Sequence, residues 1–499
     1  MSELELQLLI GGAWRPSATG QTLAATSPAT GEQIGLVAQG EREDARAAVA
    51  AARNAADSWA RLTAFERAAL MHRVGDVVES RRDQLARALT LDQGKPLHGE
   101  AYDEVDELVV YWRMAAEDAK RLGGELPNSS SPGMRVLLAR RARGVVAAIT
   151  PWNWPYTMPA ELIAPALACG NTVVWAPAPT TSVCAVELAR CVLDADLPPG
   201  VLNLVTGPGP VVGDEIARHP DVDGVAFIGS TATGRLVAAA AAGKATVLEM
   251  GGNGPLVLLH DGDVAAAVEA TLTACFLCAG QSCTAGERIL VHRAVHDEFV
   301  ERLTRAVGER VALGDPFASE TTMGPLNNEP VAAKMDEHVA DALTRGAEAL
   351  AGGARAGGFP TDLYWQPTVL SGVAPDARVA QEETFGPVAP VVAIDSLAHA
   401  VQLTNASRYG LLAAIYTADL AAGLRFADSV RTGWVNINES TNYWEAQLPF
   451  GGRAGSDSGI GRVGGDAVMR AFTELQTIVI APHRGTPSQR GTKPEASAG

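Results

Sequence analysis

The stretch GVVAAITPWNWPYTMPAELIAPALACGNTVVWAP, residues 144–177, decides the fold class of this sequence. It begins with a short apolar run, continues into the helical segment PAELIAPALACG, and returns to a second short run, NTVVWAP. A strand, a helix and a second strand in this order are typical of a parallel β-sheet with helices on its faces. Such sheets bind ligands in the crevice beyond the carboxyl ends of their strands, so we expect a binding site at that edge.

The same alternation continues to Gly252, and a second one runs from Pro255 to about Asn438. The second contains the strand-like runs GPLVLLH, RILVH, PVAPVVAI and GLLAAIYT. Upstream, from Asp44 to about Lys120, apolar residues recur at spacings of three and four, which predicts two helices and a third. The sequence therefore predicts an α/β fold with two parallel-sheet domains.

The chain has 499 residues, 57 acidic and 40 basic side chains, and a formal net charge of −17. This length is too great for one hydrophobic core. The negative charge disfavours nucleic acid and anionic membranes as partners. No apolar run reaches the roughly 18 residues of a membrane span, and the start, MSELELQLLIGGAW, lacks a basic leader, so we expect a cytoplasmic protein. Residues 483–499 are polar and rich in Pro, Gly and Ser, and we expect a flexible tail there.

Three of the six cysteines lie close together in CFLCAGQSCTAGERILVH, residues 275–292. So few cysteines in a chain without an export signal disfavour a disulfide framework, and a zinc site would need partner histidines at a shorter spacing, so we expect no metal. Cys275 and Cys278 fall at helical spacing in an apolar run, which predicts core positions. Cys283 follows a helix-breaking glycine and precedes a predicted strand; on such a loop it is either inert or a nucleophile.

Two glycine-rich turns stand at predicted strand-to-helix junctions. They are VTGPGPVVG, which contains Gly209, and FIGSTATG, which contains Gly229 and Ser230. Glycine lets the backbone approach a phosphate, and the first N–H groups of the following helix point at the anion. Glycines at such turns also occur for packing alone, so both interpretations stay open. The Ser230 hydroxyl either caps the helix or binds a phosphate oxygen, and the two roles are compatible.

Six motifs occur in the order and approximate spacing of one known family. They are TPWNWP (150–155), FIGSTATG (227–234), LEMGGNGP (248–255), GQSC (280–283), EETFGPV (382–388) and PFGG (449–452). On these motifs the chain resembles the aldehyde dehydrogenase superfamily, from IGGAW near its start to FTELQTI near its end. The resemblance implies an aldehyde dehydrogenase-like α/β fold, with two Rossmann-like parallel-sheet domains and a small β oligomerisation arm.

The resemblance also implies how the chain is divided. The cofactor-binding domain would comprise 1–123 and 145–252, the catalytic domain 253–445, and the oligomerisation arm and strand 124–144 and 466–482. In the family, an arm like the segment MRVLLARRARG pairs with a C-terminal strand, here near FTELQTIVI. Because an exposed strand edge of this length is a liability in a monomer, we expect a homodimer or homotetramer.

The resemblance selects Cys283 as the catalytic thiol, Asn153 as the donor to the oxyanion and Glu249 as the general base. Each assignment suits the chemistry of the side chain. A thiolate that adds to an aldehyde gives an adduct from which hydride can leave, and then a thioester that water can open. An amide N–H stabilises the negative oxygen of the adduct, and a carboxylate activates the water. The implied enzyme is NAD(P)-dependent and non-acylating, and it converts an aldehyde into a carboxylate.

The resemblance places a further set of residues at the cofactor, with Glu383 at the nicotinamide ribose and Phe385 beside the nicotinamide. The full set is Thr150, Trp152, Gly209, Gly229, Ser230, Glu383 and Phe385. The expected cofactor is NAD, with NADP as the alternative. The choice is open because Ala176 and Pro179 stand where many members have the lysine and glutamate that hold the adenosine ribose.

By motif position, seven side chains are expected to line the substrate channel: Trp154, Met158, Glu161, Leu277, Tyr443, Trp444 and Phe450. Several rings with one acid favour an aromatic or bulky apolar aldehyde. A cationic aldehyde of the betaine-aldehyde type, held by cation–π contacts, is the rival interpretation. Two other classes are weighed as well. A CoA-acylating dehydrogenase is disfavoured by Glu249, and an inactive binding homologue is disfavoured because Cys283, Asn153 and Glu249 are all present.

Overall fold

The structure, a computed structural model, describes residues 5–481, and the tail predicted at 483–499 lies outside this range. The described chain begins with short strands and continues into a helical region. These elements are β1 (Glu5–Leu6), β2 (Leu8–Ile10), β3 (Ala13–Arg15), β4 (Thr22–Thr26), β5 (Gln33–Ala38), α1 (Arg42–Arg61), α2 (Ala64–Ser80), α3 (Arg82–Gln93) and α4 (Tyr102–Arg121).

The helical region contains one helix more than the predicted three. The apolar pattern runs from α2 into α3 without interruption, but the backbone leaves helical geometry at Arg81, where φ is −109° and ψ is 16°. A break of one residue hardly changes the apolar spacing, so periodicity does not reveal it. The start of α2 is marked more clearly, because the Glu66 carboxylate accepts the Thr63 N–H at 2.7 Å in a capping box.

The alternation that residues 144–177 predict is present in the middle of the chain. Every residue of the strands at 172–176 and 224–228 is buried, as expected where helices cover both faces of a sheet. The elements are β6 (Arg135–Ala142), β7 (Val145–Ile149), α5 (Thr157–Ala168), β8 (Thr172–Ala176), α6 (Ser182–Asp194), β9 (Leu202–Leu204), α7 (Val212–Arg218), β10 (Gly224–Ile228), α8 (Thr231–Ala240) and β11 (Ala245–Glu249).

The second predicted alternation follows, and three short elements close the described chain. The alternation comprises β12 (Pro255–Leu258), α9 (Val264–Phe276), β13 (Arg288–His292), α10 (His296–Arg310), α11 (Glu329–Thr344), β14 (Glu348–Ala351), β15 (Thr368–Ser371), α12 (Arg378–Gln381), β16 (Val388–Ile394), α13 (Leu397–Ala406), β17 (Leu412–Tyr416), α14 (Leu420–Ser429) and β18 (Trp434–Ile437). The last elements are β19 (Gly459–Ile460), α15 (Gly465–Ala471) and β20 (Thr473–Ile480).

The strands form two large sheets, which confirms the predicted fold class. The first has the order β19–β11–β10–β7–β8–β9–β2–β3, and its central pairs from β11 to β9 are parallel. The second has the order β14–β15–β16–β13–β12–β17–β18, with parallel pairs from β15 to β18. A third, small sheet has the order β1–β5–β4. The carboxyl ends of β7 and β11 lead directly into the motifs TPWNWP and LEMGGNGP.

The arm strand β6 and the C-terminal strand β20 form a separate two-stranded antiparallel ribbon. Three apolar side chains of β20 are about half exposed: Leu475, Val479 and Ile480. The arm thus pairs with the C-terminal strand in the way that the resemblance implies, while the limits of the domains stay a prediction. Among the described residues, no helix has the length and apolar character that crossing a membrane requires. A cytoplasmic location likewise stays a prediction.

Candidate active site

Cys283 lies on a tight loop between α9 and β13. The helix ends at Phe276, and Cys278 and Gly280 follow with left-handed backbone angles, φ 53° and φ 70°. A Cβ on Gly280 would meet the Gly386 carbonyl oxygen at 2.2 Å, so this position requires glycine for its angle and for space. Cys278 is buried as predicted, but it lies in this turn and not on the helix. The apolar spacing reports its burial and not its backbone geometry.

Glu249 is the last residue of β11, and its carboxyl group faces Cys283. Glu249 is 3% exposed, Cys283 is 7% exposed, and the two side chains are hydrogen-bonded. Burial raises the pKa of Glu249 to about 8, although the bond to Cys283 opposes the rise. Burial, together with the neighbouring Glu249, also raises the pKa of the Cys283 thiol well above its usual range. At neutral pH the resting pair therefore holds both protons, and the thiol can react only when a base removes one.

Asn153 joins the turn after β7 to the cysteine loop. Its Nδ2 donates to the Gln281 carbonyl at 3.0 Å, and its own carbonyl accepts from the Cys278 thiol at 3.5 Å. Asn153 is buried and lines the same cavity as Cys283 and Glu249. A side-chain amide has two N–H donors, so one is left for a negatively charged oxygen beside the thiol.

One cavity beside Cys283 has about 520 Å³ of empty volume and mainly apolar walls; we call it the aromatic cavity. The Trp444 ring lies 6.0 Å from the Tyr111 ring and 6.1 Å from the Phe450 ring, measured between centroids. Six of the seven residues predicted for the substrate channel line this cavity. The lining residues are Glu107, Trp154, Thr157, Met158, Glu161, Glu249, Leu277, Ser282, Cys283, Thr284, Asn442, Trp444 and Phe450.

A second cavity, with about 970 Å³ of empty volume, also borders Cys283 and Glu249; we call it the large cavity. The Trp152 and Phe385 rings meet edge to face there at 5.5 Å, and Glu383 accepts the Gly252 N–H at 2.7 Å. Five of the predicted cofactor residues line it: Trp152, Gly229, Ser230, Glu383 and Phe385. The Ser230 hydroxyl accepts the Thr233 N–H at 3.3 Å, so its capping role is present.

The sixth predicted cofactor residue, Gly209, lines a slot between α7 and α8 with about 1230 Å³ of empty volume. The slot has apolar walls that include Ile149, Leu236 and Val237. Leu236 is 72% exposed, so its apolar side chain faces the slot without cover from residues 5–481. A Cβ on Gly209 would meet nothing within 4 Å, which shows that packing does not require glycine there.

The sequence profile of the aldehyde dehydrogenase family matches residues 14–478 of this chain. The chain belongs to this family. It is 37% identical over 479 residues to the NADP-type succinate-semialdehyde dehydrogenase of Escherichia coli, with 95% of this chain and 97% of that protein covered. It is 38% identical over 487 residues to the phenylacetaldehyde dehydrogenase of Pseudomonas fluorescens, with 95% and 96% covered. A crystal structure of Staphylococcus aureus betaine aldehyde dehydrogenase with NAD+ superposes with a TM-score of 0.92 at 33% identity, covering 97% of each chain.

In this aldehyde dehydrogenase, Tyr443 lies outside the aromatic cavity, contrary to the expectation from its motif position. Asn436 donates from Nδ2 to the carbonyls of Ser440 and Tyr443 at 2.7 and 3.0 Å, and the Tyr443 hydroxyl donates to the Glu445 carboxylate at 2.5 Å. It is 45% exposed and lines a surface hollow, and Leu277 and Asn442 line both the hollow and the aromatic cavity. The hollow therefore adjoins the cavity at its outer side.

Thr150 lies behind the cavity walls. It is 4% exposed, and its hydroxyl accepts the Trp175 indole N–H at 2.8 Å, so it braces the end of β7 against β8. Sequence reasoning missed Glu107 and Asn442 in the aromatic cavity and Lys334 in the large cavity. The position next to Tyr443 could have indicated Asn442, whereas the helices that carry Glu107 and Lys334 contain none of the six motifs.

Proposed function

We propose that this enzyme oxidises an aldehyde with an aromatic or bulky apolar body to the carboxylate, using NAD(P) and a covalent intermediate on Cys283. The observation that carries the proposal is the placement of the Cys283–Glu249 pair between an aromatic-walled cavity and a larger cavity. The aldehyde carbon reaches the thiol from the aromatic cavity. The large cavity would hold the hydride acceptor.

The side chains divide the chemistry between them. In its ionised form Glu249 takes the proton of Cys283 while the sulfur adds to the aldehyde carbon, and the Asn153 amide donates to the oxygen that becomes negative. A bound nicotinamide supplies the acceptor for the hydride, and a thioester remains on Cys283. Glu249 then releases that proton to solvent and takes a proton from a water that attacks the thioester, which frees the acid and the Cys283 thiolate; the acid ionises to the carboxylate in water. The Oε1 atom of Glu249, which is buried and has no hydrogen-bond partner among the described residues, is available for this water.

The residues of the large cavity and of the slot fit a dinucleotide. Trp152, Glu383 and Phe385 would hold the nicotinamide end, with the Glu383 carboxylate as an acceptor for ribose hydroxyls. Gly229 and Ser230, at the start of α8, would hold the diphosphate. The apolar slot beside Gly209 suits a flat heterocycle.

The charge of the aromatic cavity bears on the substrate. Three of its lining residues are glutamates, and the lining set, taken over the described chain, contains no Lys, Arg or His. An aldehyde that carries a carboxylate would therefore lose its hydration in this cavity without gaining a basic side chain as a partner. The rings of Trp154, Trp444 and Phe450 offer apolar faces to a flat or bulky body.

A panel of aldehydes tests the proposed function. We expect phenylacetaldehyde to give at least about tenfold higher kcat/KM than succinic semialdehyde, a difference of roughly 1.4 kcal/mol in transition-state binding. Appearance of reduced nicotinamide measures the rate, and chromatography identifies the acid. Added coenzyme A should leave the product a carboxylate; formation of acyl-CoA, or a higher kcat/KM for succinic semialdehyde, would contradict the proposal.

The same panel, run with both dinucleotides, tests cofactor choice. Ala176 at the end of β8 and Pro179 in the following turn offer neither a carboxylate against a 2′-phosphate nor an ammonium for the ribose. We expect NAD to be preferred by less than about a thousandfold in kcat/KM, or roughly 4 kcal/mol. A Pro179→Glu variant should widen the preference for NAD, and Pro179→Gln is its uncharged control. A larger preference in the wild-type enzyme would refute this expectation.

The β6–β20 ribbon supports a closed homo-oligomer, a dimer or a dimer of dimers. Its exposed apolar side chains on β20 would otherwise face water. Light scattering at micromolar concentration should give a mass of two or four chains, and Val479→Asp should lower the assembled fraction more than Glu474→Gln, a change on the same strand. A monomeric wild-type mass would rule the assembly out.

A further inference from the structure

Two of the three glutamates that line the aromatic cavity have no part in the chemistry proposed above. Glu107 lies on α4 and Glu161 on α5, two helices that pack against each other. Only Glu249, the third, is used as a base. Glutamates at the wall of an apolar cavity call for a physical explanation, because burying a carboxyl group costs free energy unless a hydrogen-bond or charge partner compensates it.

Glu161 is 3% exposed, and its Oε1 has no hydrogen-bond partner among the described residues. It lines the aromatic cavity and also a smaller one behind it, with about 240 Å³ of empty volume, where Tyr111 and Asp118 contribute to the wall. The Tyr111 hydroxyl is also buried and has no hydrogen-bond partner in the described part of the chain. Unpaired buried polar atoms are uncommon in native proteins, so Glu161 and Tyr111 both have capacity for a hydrogen bond with a ligand.

The described walls of the two cavities give these acids no basic partner. No Lys, Arg or His lines the aromatic cavity or the smaller one behind it within residues 5–481. The nearest candidate, Lys95, lies 3.2 Å from the centroid of the Trp154 ring. Its ammonium group is bound to the Glu104 carboxylate at 2.6 Å, with both side chains fully buried, so its charge is already compensated. The missing charge and the missing donor can therefore come from a ligand.

We propose that the substrate is an aldehyde whose far end carries a protonated primary or secondary amine, with Glu161 accepting an ammonium N–H and Glu107 adding a second negative charge. This rests on the proposed function and narrows its substrate class. The rings of Trp154, Trp444 and Phe450 hold the apolar body between the amine and the carbonyl. A quaternary ammonium group is disfavoured, because it has no N–H to donate to Glu161.

Without such a substrate, Glu161 and Glu107 can be protonated and therefore neutral. Burial raises the pKa of Glu161 well above its usual range, and the nearby Glu249 and Glu107 raise it further. Burial raises the pKa of Glu107 to about 7, with Glu104 adding to the rise and Lys95 opposing it. An ammonium group beside these carboxyls favours their charged forms, so binding replaces a proton with the cation of the substrate.

Matched aldehydes test the proposal. β-Aminopropionaldehyde and butyraldehyde have the same number of heavy atoms and differ in charge, and β-trimethylammoniopropionaldehyde keeps the charge without an N–H. We expect kcat/KM for the amine to exceed that for each of the other two at least about tenfold. Glu161→Gln should reduce the amine-to-butyraldehyde ratio about tenfold or more, mainly through a higher KM for the amine. Asp106→Asn, a change next to Glu107 on the solvent side of α4, is the matched control and should leave the ratio unchanged.

Inhibition of the wild-type enzyme gives a second measurement that depends on no variant. Butylamine should compete with butyraldehyde, and butanol should inhibit at least about tenfold more weakly. Three results would each overturn the inference and leave the proposed function standing. The enzyme could oxidise butyraldehyde with no preference for the amine, or it could prefer the quaternary aldehyde. In the third case, Glu161→Gln would leave the amine-to-butyraldehyde ratio of kcat/KM unchanged. A failure to oxidise every aldehyde tried would remove the proposed function, and the inference with it.

Discussion

A Glu249→Gln variant is expected to release a burst of reduced nicotinamide and then to turn over at least about a hundredfold more slowly than the wild-type enzyme. The first half-reaction needs the Cys283 thiolate, the Asn153 donor and a bound dinucleotide. The second needs a base within reach of a water. Glutamine keeps the shape of the side chain but cannot take the proton, so the acyl group should accumulate on Cys283. Stopped-flow measurement of the burst and intact-protein mass spectrometry read this directly.

The pKa values of the resting pair set the pH at which this experiment is clearest. With a pKa of about 8, Glu249 is mostly protonated at neutral pH and ionised above pH 8, so wild-type kcat/KM should rise as pH increases through this region. In Glu249→Gln the thiol must lose its proton without help, so a higher pH should speed the burst and leave the slow hydrolysis in place. Cys283→Ala is the control that should show neither phase. Wild-type turnover by Glu249→Gln would overturn the assignment of the base.

The fold and the reacting residues could be predicted from the sequence because both depend on local patterns. Buried parallel strands separated by helices leave a strand–helix alternation, and the two sheets follow it. Cys283, Glu249 and Asn153 lie in short motifs at strand or helix ends, and the structure brings all three together. The family resemblance supplied their roles; the residues alone left Cys283 open between an inert and a reactive side chain.

The substrate end of the site was harder to predict from the sequence, because packing between elements that are distant in the chain forms its walls. Glu107 faces the cavity because α4 lies against α5; the apolar spacing of α4 indicates the buried side of the helix but does not show that a glutamate beside it lines a cavity. Tyr443 lines the surface hollow and not the aromatic cavity, and its position in the motif does not distinguish these two neighbouring sites. Cys278 was assigned to a helix because burial continues beyond the last turn of α9. In each case the sequence indicates the type of residue or its burial, and tertiary contacts decide which cavity or turn the side chain belongs to.

An Asn153→Ala variant is expected to slow the first half-reaction, with a loss of about a hundredfold to a thousandfold in kcat, the usual effect of removing one oxyanion donor. Here the burst itself should become slow, because hydride leaves only after the negative adduct has formed. Glu249→Gln should instead keep the burst and lose the later phase. Single-turnover kinetics therefore separate the two roles, even where the steady-state rates of the two variants are alike.

A structural effect of Asn153→Ala must be distinguished from a catalytic one, because the side chain also donates to the Gln281 carbonyl in the cysteine loop. Asn442→Ala is the matched control. It removes the acceptor for the Thr284 hydroxyl, a 2.7 Å contact one residue beyond Cys283, without removing a donor to the adduct. If loosening of the loop were the cause, both variants would slow the burst to a similar extent. If Asn153 is an oxyanion donor, the burst should be at least about tenfold slower in Asn153→Ala than in Asn442→Ala. The melting temperatures of the two variants should be alike, so that a loss of stability does not explain the difference.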